Sequence, residues 1–209
     1  MRFAALLAVL AFGAAIPAIA AAPATRSALV LVSAPAADGR TAFASGVIVD
    51  TTSGLSVVTA GHIAALAGLR IETQSGESLQ VLRVRFIDGY DLAVLQTGLT
   101  RDTYAPARAS AAVAENQRAQ VWGYGDQGAP RMVEAVVLDA RTVFPNNPGI
   151  PKLALACDRC EHGDSGAGVF AGDGSLIGVI VSRWHDGANR LSVMEAEPAA
   201  ALDAVMASK

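Results

Sequence analysis

About a dozen short apolar segments, separated by turn-forming residues, limit the folds open to this chain more than any other feature. Within residues 79–87, Val81, Arg83 and Arg85 alternate with Leu82, Val84 and Phe86, which is the two-residue period of a strand. The turn "GDGS" at 172–175 indicates a hairpin. The apolar segments span residues 27–34, 43–50, 55–60, 69–74, 79–87, 91–97, 119–125, 131–138, 152–157, 168–172, 175–184 and 190–194. Strands at this spacing predict an all-β fold, an antiparallel barrel or sandwich, rather than alternating strands and helices.

Residues 1–21 differ from the rest of the chain and are predicted to be a signal peptide. Met1-Arg2 gives a positively charged start, "FAALLAVLAFGAAI" is an uncharged apolar core, and "PAIAAAP" offers small residues for cleavage. A membrane anchor or a buried helix is the alternative, but the apolar run is shorter than the roughly 20 residues of a membrane span. We therefore expect a mature domain of residues 22–209 that is secreted or periplasmic.

The rest of the sequence argues against nucleic acid and membranes as partners, and it predicts two short helical segments. The formal net charge is −3 and no basic cluster is present, so nucleic acid is not an expected partner. No later stretch is long enough to cross a bilayer, so no stable membrane insertion is expected after the signal peptide is removed. Residues 62–68 predict one or two helical turns, and 197–208 predict a C-terminal α-helix. Residues 97–118 are the predicted connection between two halves of the domain.

Three residues with complementary chemistry occur at strand ends. His62 follows an apolar strand, Asp91 precedes one, and Ser165 lies between two. A serine hydroxyl is a weak nucleophile until a base such as a neutral imidazole takes its proton. A carboxylate on the far ring nitrogen fixes the tautomer and stabilises the imidazolium that forms. Asp88 competes with Asp91 for the acid role, but it belongs more naturally to the turn "IDGY".

The glycines around Ser165 suit the same chemistry. The stretch "CEHGDSGAGVF" runs from Cys160 to Phe170. Attack on a carbonyl places negative charge on its oxygen, and preorganised backbone N–H groups stabilise that charge. We predict that the N–H groups of Gly163 and Ser165 form this oxyanion hole.

The segments that carry these residues resemble the three motifs of trypsin-like serine proteases: "VVTAGH" around His62, "DLAVL" at Asp91 and "GDSGAG" around Ser165. The hairpin "SGVIVD…GLSVVTAGH" is similar to that of bacterial HtrA-type and glutamyl-endopeptidase-type members. The resemblance covers about residues 40–195. It implies two six-stranded antiparallel barrels, over about 27–110 and 117–196, with a cleft between them. No PDZ-like extension is expected after the protease core.

In this family the triad hydrolyses peptide bonds through an acyl-enzyme. The resemblance therefore implies a serine endopeptidase with protein or peptide substrates, and it requires no cofactor and no metal. A protease-fold binding protein without turnover is the alternative, and an esterase would use the same site. Activity against casein that is lost in Ser165→Ala separates the peptidase from the binding protein.

The resemblance also assigns residues that contact substrate. The strand "GSLIGVIVSRW" corresponds to the one whose edge pairs with the substrate backbone, at Ser182, Arg183 and Trp184. Arg159 and His162 lie just before the serine, where family members line their specificity pocket. These basic side chains suggest the hypothesis that an acidic residue precedes the cleaved bond.

The chain departs from the family pattern in its activation motif, and it carries two cysteines close to Ser165. Animal members pair a newly cut amino terminus with the aspartate before the serine, here Asp164, yet the Ile-Val-Gly-Gly motif of that cut is missing. We therefore hypothesise that no dedicated cut is needed and that Asp164 has another partner. Cys157 and Cys160 are the only two cysteines. A small-loop disulfide is favoured, with a redox pair, a metal site with His162 and free thiols as alternatives.

Overall fold

The computed structural model describes residues 27–36, 38–185, 192–203 and 205–206, which form thirteen β-strands in two sheets and very little helix. The predicted signal peptide lies outside the described residues. The strands are β1 (Leu29–Pro35), β2 (Thr41–Thr51), β3 (Gly54–Ala60), β4 (Arg70–Thr73), β5 (Ser78–Leu79), β6 (Arg83–Phe86), β7 (Leu92–Gln96), β8 (Arg118–Tyr124), β9 (Pro130–Thr142), β10 (Lys152–Ala156), β11 (Gly168–Ala171), β12 (Leu176–His185) and β13 (Ser192–Pro198).

The first sheet contains the first seven strands in the order β5-β4-β1-β2-β3-β7-β6. Its centre is the β2–β3 hairpin, where Thr51 pairs with Gly54 across a two-residue turn. Gly54 has a φ of 99°, a conformation that suits glycine, and the Thr51 hydroxyl donates to its carbonyl over 2.7 Å. β3 then pairs with β7, so the carboxyl end of β3 lies beside the amino end of β7.

The second sheet is a closed six-stranded barrel in the order β10-β13-β12-β11-β8-β9. All of its pairings are antiparallel, and the ladder between β12 and β13 shifts register between Ile180 and Ser182. Such a bulge bends a strand and increases its twist, which helps a small barrel to close. Two antiparallel β units in one chain confirm the predicted all-β fold class.

The first unit differs in detail from the six-stranded barrel that the resemblance implied. It is a seven-stranded half-barrel with β5 and β6 at its two edges. The predicted strand over 79–87 is divided between these two edges, and β5 has only two residues. All four residues of β6 are exposed, so this edge gains little from burial and the ladder ends there.

The predicted C-terminal α-helix over 197–208 is wrong in the part that the structure describes. β13 continues to Pro198, and only a 3₁₀ turn over Ala199–Leu202 follows. Glu197 pairs with Val179 in the barrel ladder, so its backbone is unavailable to a helix. The helix expected within 62–68 is a single turn, α1 (Gly61–Ala64), and the chain reverses at Gly68 with a φ of 72°.

The largest apolar cluster joins the two sheets. It contains most buried side chains of the first sheet together with Phe170, Leu176 and Val179 of the second barrel. Phe170 is fully buried, and its ring lies over the α-carbon of Gly168 near Val47 of β2. The relative position of the two sheets therefore depends on this side chain, since packed interiors adjust little to a change of volume.

Truncation of this ring is expected to weaken the whole domain. Phe170→Ala should lower the free energy of unfolding by about 3–5 kcal/mol, because a buried aromatic ring leaves a cavity that surrounding strands cannot fill. Urea denaturation measures the loss. Leu82→Ala is the matched control, since Leu82 is 60% exposed and its truncation should change stability by less than about 0.5 kcal/mol. Equal effects in the two variants would contradict this role of Phe170.

Candidate active site

The fold brings together three loops that are distant in the sequence. His62 lies in α1, directly after β3, and Asp91 directly precedes β7. Because β3 and β7 are antiparallel neighbours, with Ala60 opposite Leu92, the two side chains share one end of the first sheet. Ser165 lies in the loop between β10 and β11 of the second barrel. The site therefore spans the junction of the two sheets.

Asp91 contacts His62 through both carboxylate oxygens. The backbone N–H of His62 donates to Asp91 Oδ1 over 2.8 Å, and His62 Nδ1 lies 2.7 Å from Asp91 Oδ2. The backbone N–H of Gly61 donates to the Asp91 carbonyl over 2.8 Å. A β-carbon at position 61 would lie 2.8 Å from Asp91 Oδ1, so the approach requires glycine. Asp88, the competing candidate, is exposed and does not hydrogen-bond the imidazole.

The surroundings of Asp91 keep it ionised. Burial alone would raise the pKa of the Asp91 carboxyl. The hydrogen bonds from the ring and backbone of His62, and the electrostatic attraction to His62 and to the Lys152 ammonium group, outweigh burial and hold this pKa below its ordinary value. An ionised carboxylate only accepts hydrogen bonds, so the nitrogen that faces it, His62 Nδ1, carries the proton.

The second ring nitrogen of His62 faces the serine. Nε2 lies 3.2 Å from Ser165 Oγ. With the proton on Nδ1, a neutral imidazole presents a lone pair at Nε2 and accepts from the Ser165 hydroxyl. The structure thus brings Asp91, His62 and Ser165 into one hydrogen-bonded chain. Such a chain can move a proton from the hydroxyl to the imidazole.

The backbone around Ser165 suits the stabilisation of an oxyanion. Within the described residues, the N–H groups of Gly163 and Ser165 donate to no acceptor, so they are available to a ligand. Gly163 has a φ of 95°, and a β-carbon there would lie 2.4 Å from the carbonyl carbon of Gly125. Only glycine fits this position. The loop is held further along, where the Gly166 N–H donates to the Ile180 carbonyl over 2.7 Å.

Ser45 of β2 connects the first sheet to the serine loop. Its N–H donates to the Ser165 carbonyl over 2.8 Å, and its hydroxyl lies 3.0 Å from the Gly163 carbonyl. The hydroxyl also accepts from the Tyr124 N–H over 2.8 Å. Its carbonyl accepts from the Thr59 hydroxyl over 2.7 Å. Ser45 is fully buried, so these bonds are shielded from water and fix the loop against the sheet that carries His62.

Asp164 has an internal partner, Arg131 of β9. Arg131 Nη2 lies 2.6 Å from Asp164 Oδ2, and its Nε lies 3.2 Å from Oδ1. The same guanidinium contacts the Glu161 carboxylate over 2.7 Å and the Arg159 carbonyl over 2.8 Å. The Asp164 side chain is 1% exposed, so Arg131 compensates a buried charge. One side chain therefore ties three points of the loop that carries Ser165.

The residues predicted to contact substrate lie in or near the disulfide loop before Ser165 and on β12. Cys157 and Cys160 form a disulfide, and both are buried in the barrel core. Arg159 and His162, in and after this loop, are exposed. On β12, the Arg183 guanidinium donates to the Cys160 carbonyl.

The β12 edge beyond the disulfide loop is partly accessible. Ser182 and Trp184 are half-buried, and the indole ring of Trp184 lies 6.3 Å from the ring of Phe144.

The sequence interpretation missed Ser45 and Arg131 as site residues. No motif marks them, because each contacts the loop from a strand remote in the sequence.

Comparisons with known proteins agree with this architecture. The family model described as the trypsin-like peptidase domain matches residues 44–179. The active form of the Rv3671c protease from M. tuberculosis superposes with a TM-score of 0.69 at 19% identity, over 96% of this chain and 92% of that chain. The protease domain of MamO from Magnetospirillum magneticum gives 0.67 at 20% identity, over 87% and 97% of the two chains.

HtrA-type proteases are also similar in fold. The HtrA-type protease AlgW with a decapeptide gives a TM-score of 0.67 at 14% identity, over 86% of this chain and 63% of that chain. No curated protein sequence matches this chain significantly. The family model covers well over half of the sequence and includes the segments that carry His62, Asp91 and Ser165. On this evidence the chain belongs to the trypsin-like peptidase family.

Proposed function

We propose that this protein is a secreted or periplasmic serine endopeptidase that uses Ser165 as nucleophile, His62 as general base and acid, and Asp91 as the group that orients His62. The observation that carries the proposal is the hydrogen-bonded chain Asp91–His62–Ser165, with distances of 2.7 and 3.2 Å. Membership of the trypsin-like peptidase family supports the same chemistry. Peptide hydrolysis is the reaction that this arrangement serves best.

The residues would act in two half-reactions. Ser165 Oγ attacks the peptide carbonyl while His62 Nε2 takes its proton, and Asp91 stabilises the imidazolium. The tetrahedral intermediate collapses, the C–N bond breaks, and His62 gives the proton to the leaving amine. Water then attacks the acyl-enzyme, with His62 first accepting and then returning a proton to Ser165.

The backbone N–H groups of Gly163 and Ser165 would stabilise the oxyanion in both half-reactions. Loss of one such donor costs catalysis about 3–4 kcal/mol. Both groups lack an acceptor among the described residues, which supports this role. The bonds from Ser45 and Arg131 hold the surrounding loop, so the donors need no rearrangement when charge develops.

A peptide substrate would lie along the exposed side of β12 and pair with its backbone near Ser182–Trp184. An HtrA-type neighbour solved with a decapeptide supports a peptide as the ligand class. Arg159 and His162 are exposed beside the serine loop, in keeping with the hypothesis of an acidic residue before the cleaved bond. A peptide-library digest that shows cleavage after basic or aliphatic residues would refute that hypothesis.

Location outside the cytoplasm is part of the proposal. The disulfide between Cys157 and Cys160 is typical of oxidising compartments, and the apolar leader of residues 1–21 fits export. Among the described residues, no helix is long and apolar enough to cross a membrane.

We propose further that activation requires no dedicated cut. Arg131 supplies to Asp164 the positive charge that a new amino terminus supplies in animal members of the family, as its bidentate contacts support. N-terminal sequencing of fully active protein is expected to give a start near residue 21, and a start at Ser27 would contradict the idea.

Replacement of the nucleophile tests the proposed function. The wild-type protein should hydrolyse casein and be labelled at Ser165 by a fluorophosphonate, whereas Ser165→Ala should lose both without a change in thermal stability. Wild-type protein that does neither, although folded, would favour the alternative of a binding protein without turnover.

Replacement of Asp91 tests the orientation of His62 and has a defined pH dependence. Asp91→Asn should lower kcat by about 10⁴-fold, since the amide favours the wrong imidazole tautomer. The lowered pKa of Asp91 means that its carboxylate stabilises the fold above the ordinary aspartate pKa. That stabilisation is lost as pH falls through the folded-state pKa. Urea melts of wild type and Asp91→Asn should therefore differ at about pH 7 and converge towards pH 2.

The matched control is Asp88→Asn, which removes the neighbouring exposed carboxylate and should retain wild-type kcat. A stability difference between wild type and Asp91→Asn that persists in strong acid would argue against a lowered pKa of Asp91.

Removal of the partner of Asp164 tests the role of Arg131. Arg131→Met leaves a buried carboxylate uncompensated and should lower the free energy of unfolding by about 3–5 kcal/mol. Arg131→Met combined with Asp164→Asn should recover part of that loss, because the uncompensated charge is gone. The control Arg101→Met breaks an ion pair with Asp50 in which the arginine side chain is 62% exposed, and it should have little effect. An Arg131→Met protein as stable as wild type would contradict the assignment.

A further inference from the structure

A buried charged cluster contacts the backbone of Asp91. It consists of Lys152 on β10 and of Glu195 and Glu197 on β13, whose residues are 4%, 0% and 0% exposed. Lys152 Nζ lies 3.3 Å from Glu195 Oε2 and 3.1 Å from Glu197 Oε1. Burial of charged groups is costly unless each one is paired and hydrogen-bonded, so every member of the cluster requires a reason.

Charge compensation accounts for Lys152 and Glu195. One ammonium group balances one carboxylate, and Glu195 has a partner for each oxygen, with Lys152 at Oε2 and the Asn146 amide 3.1 Å from Oε1. The pair would be balanced and satisfied without any further carboxyl group.

Glu197 is not accounted for in this way. It adds a second carboxyl group to a single ammonium group, and its Oε2 is buried without a hydrogen-bond partner among the described residues. A buried acceptor without a partner costs folding free energy. An apolar side chain at position 197 would avoid this cost. The presence of a glutamate there therefore points to another contact that requires its carboxylate.

The other contact of Glu197 is with Asp91. The backbone N–H of Asp91 donates to Glu197 Oε1 over 3.1 Å. On the first sheet, the Asp91 carbonyl accepts from the Gly61 N–H. The peptide groups on both sides of Asp91 are therefore fixed, one by α1 and one by the second barrel. Lys152 holds the Glu197 oxygen in place, and its charge also helps to keep the pKa of Asp91 low.

We propose that Glu197 is a positioning residue that holds the backbone of Asp91 from the second barrel and thereby sets the orientation of His62 towards Ser165. The inference rests on the proposed function of the triad. It adds a tie between the acid and the barrel that carries the nucleophile, since Glu197 pairs with Val179 on β12 of that barrel.

Three variants separate positioning from a purely structural role. Glu197→Leu removes the acceptor and should lower kcat about tenfold with KM unchanged, while thermal stability stays the same or rises. Glu197→Gln keeps an acceptor for the Asp91 N–H and should retain kcat within about threefold. The matched control is Glu195→Gln, which touches the same lysine but not Asp91. It should leave the kcat of the folded protein unchanged, because Lys152 still holds Glu197 in contact with the Asp91 N–H.

A readout that needs no turnover separates failure of this inference from failure of the proposed function. Proton NMR detects the downfield Nδ1 proton of His62 in its hydrogen bond to Asp91. That resonance should persist in wild type, Glu197→Gln and Glu195→Gln, and it should broaden or vanish in Glu197→Leu. A wild-type protein with the resonance but without casein hydrolysis would overturn the proposed function, and loss of the resonance in Glu197→Leu would still support the positioning role.

Two results would overturn the positioning role itself. One is a Glu197→Leu protein with wild-type kcat and an unchanged downfield resonance. The other is a fall of both stability and kcat in Glu197→Leu, with a similar fall of both in Glu197→Gln. If Glu197→Leu fails to fold, the test relies on Glu197→Gln, which keeps an acceptor for the Asp91 N–H. A loss of kcat beyond threefold in Glu197→Gln at native stability would then overturn the positioning role.

Discussion

The contact between His62 and Ser165 depends on the register of two separate sheets. The imidazole belongs to the half-barrel and the hydroxyl to the closed barrel, yet their atoms lie 3.2 Å apart. A shift of about 1 Å between the sheets would break such a bond. Ser45 limits that shift, because its N–H donates to the Ser165 carbonyl and its hydroxyl contacts the neighbouring backbone. Phe170 limits it by filling the space between the sheets.

The loop that carries Ser165 contains conformationally flexible glycines, and an ion pair holds it in place. Gly163 and Gly166 both have positive φ, and a β-carbon at either position would collide with backbone atoms. Glycine loses much conformational freedom on folding, so such a loop is disordered unless other contacts hold it. The Asp164–Arg131 ion pair supplies these contacts without occupying the amides of Gly163 and Ser165. The loop is thereby ordered while its donors stay open.

Local sequence patterns predicted the strands and the motifs, which depend on neighbouring residues. They missed contacts between residues that are distant in the sequence. The strands and the motifs around the triad residues are contiguous in the sequence. The strand pattern therefore predicted the all-β class, and the resemblance of the motifs to a known family implied the proximity of those residues. The mainly apolar stretch 79–87 runs through the point where the chain changes edges, so one strand was predicted where there are two. The apolar spacing of 197–208 fits a helix equally well, but the pairing of Glu197 with Val179 prevents one. No local signal could connect Arg131 with Asp164, since the match exists only after the barrel closes.

The buried ion pairs of the second barrel are better explained by geometry than by stability. Apolar packing is non-directional, and strands of similar side chains can pack in more than one register. A bidentate guanidinium–carboxylate pair such as Arg131–Asp164 is satisfied in one arrangement only. Lys152 is less selective in direction, because an ammonium group has rotatable donors, but it pairs with carboxylates at two positions of β13. The second barrel holds the Ser165 hydroxyl next to the His62 imidazole of the other sheet. Selection of a single strand register favours this contact. We infer that burial of charge costs stability and in return disfavours other registers of the barrel.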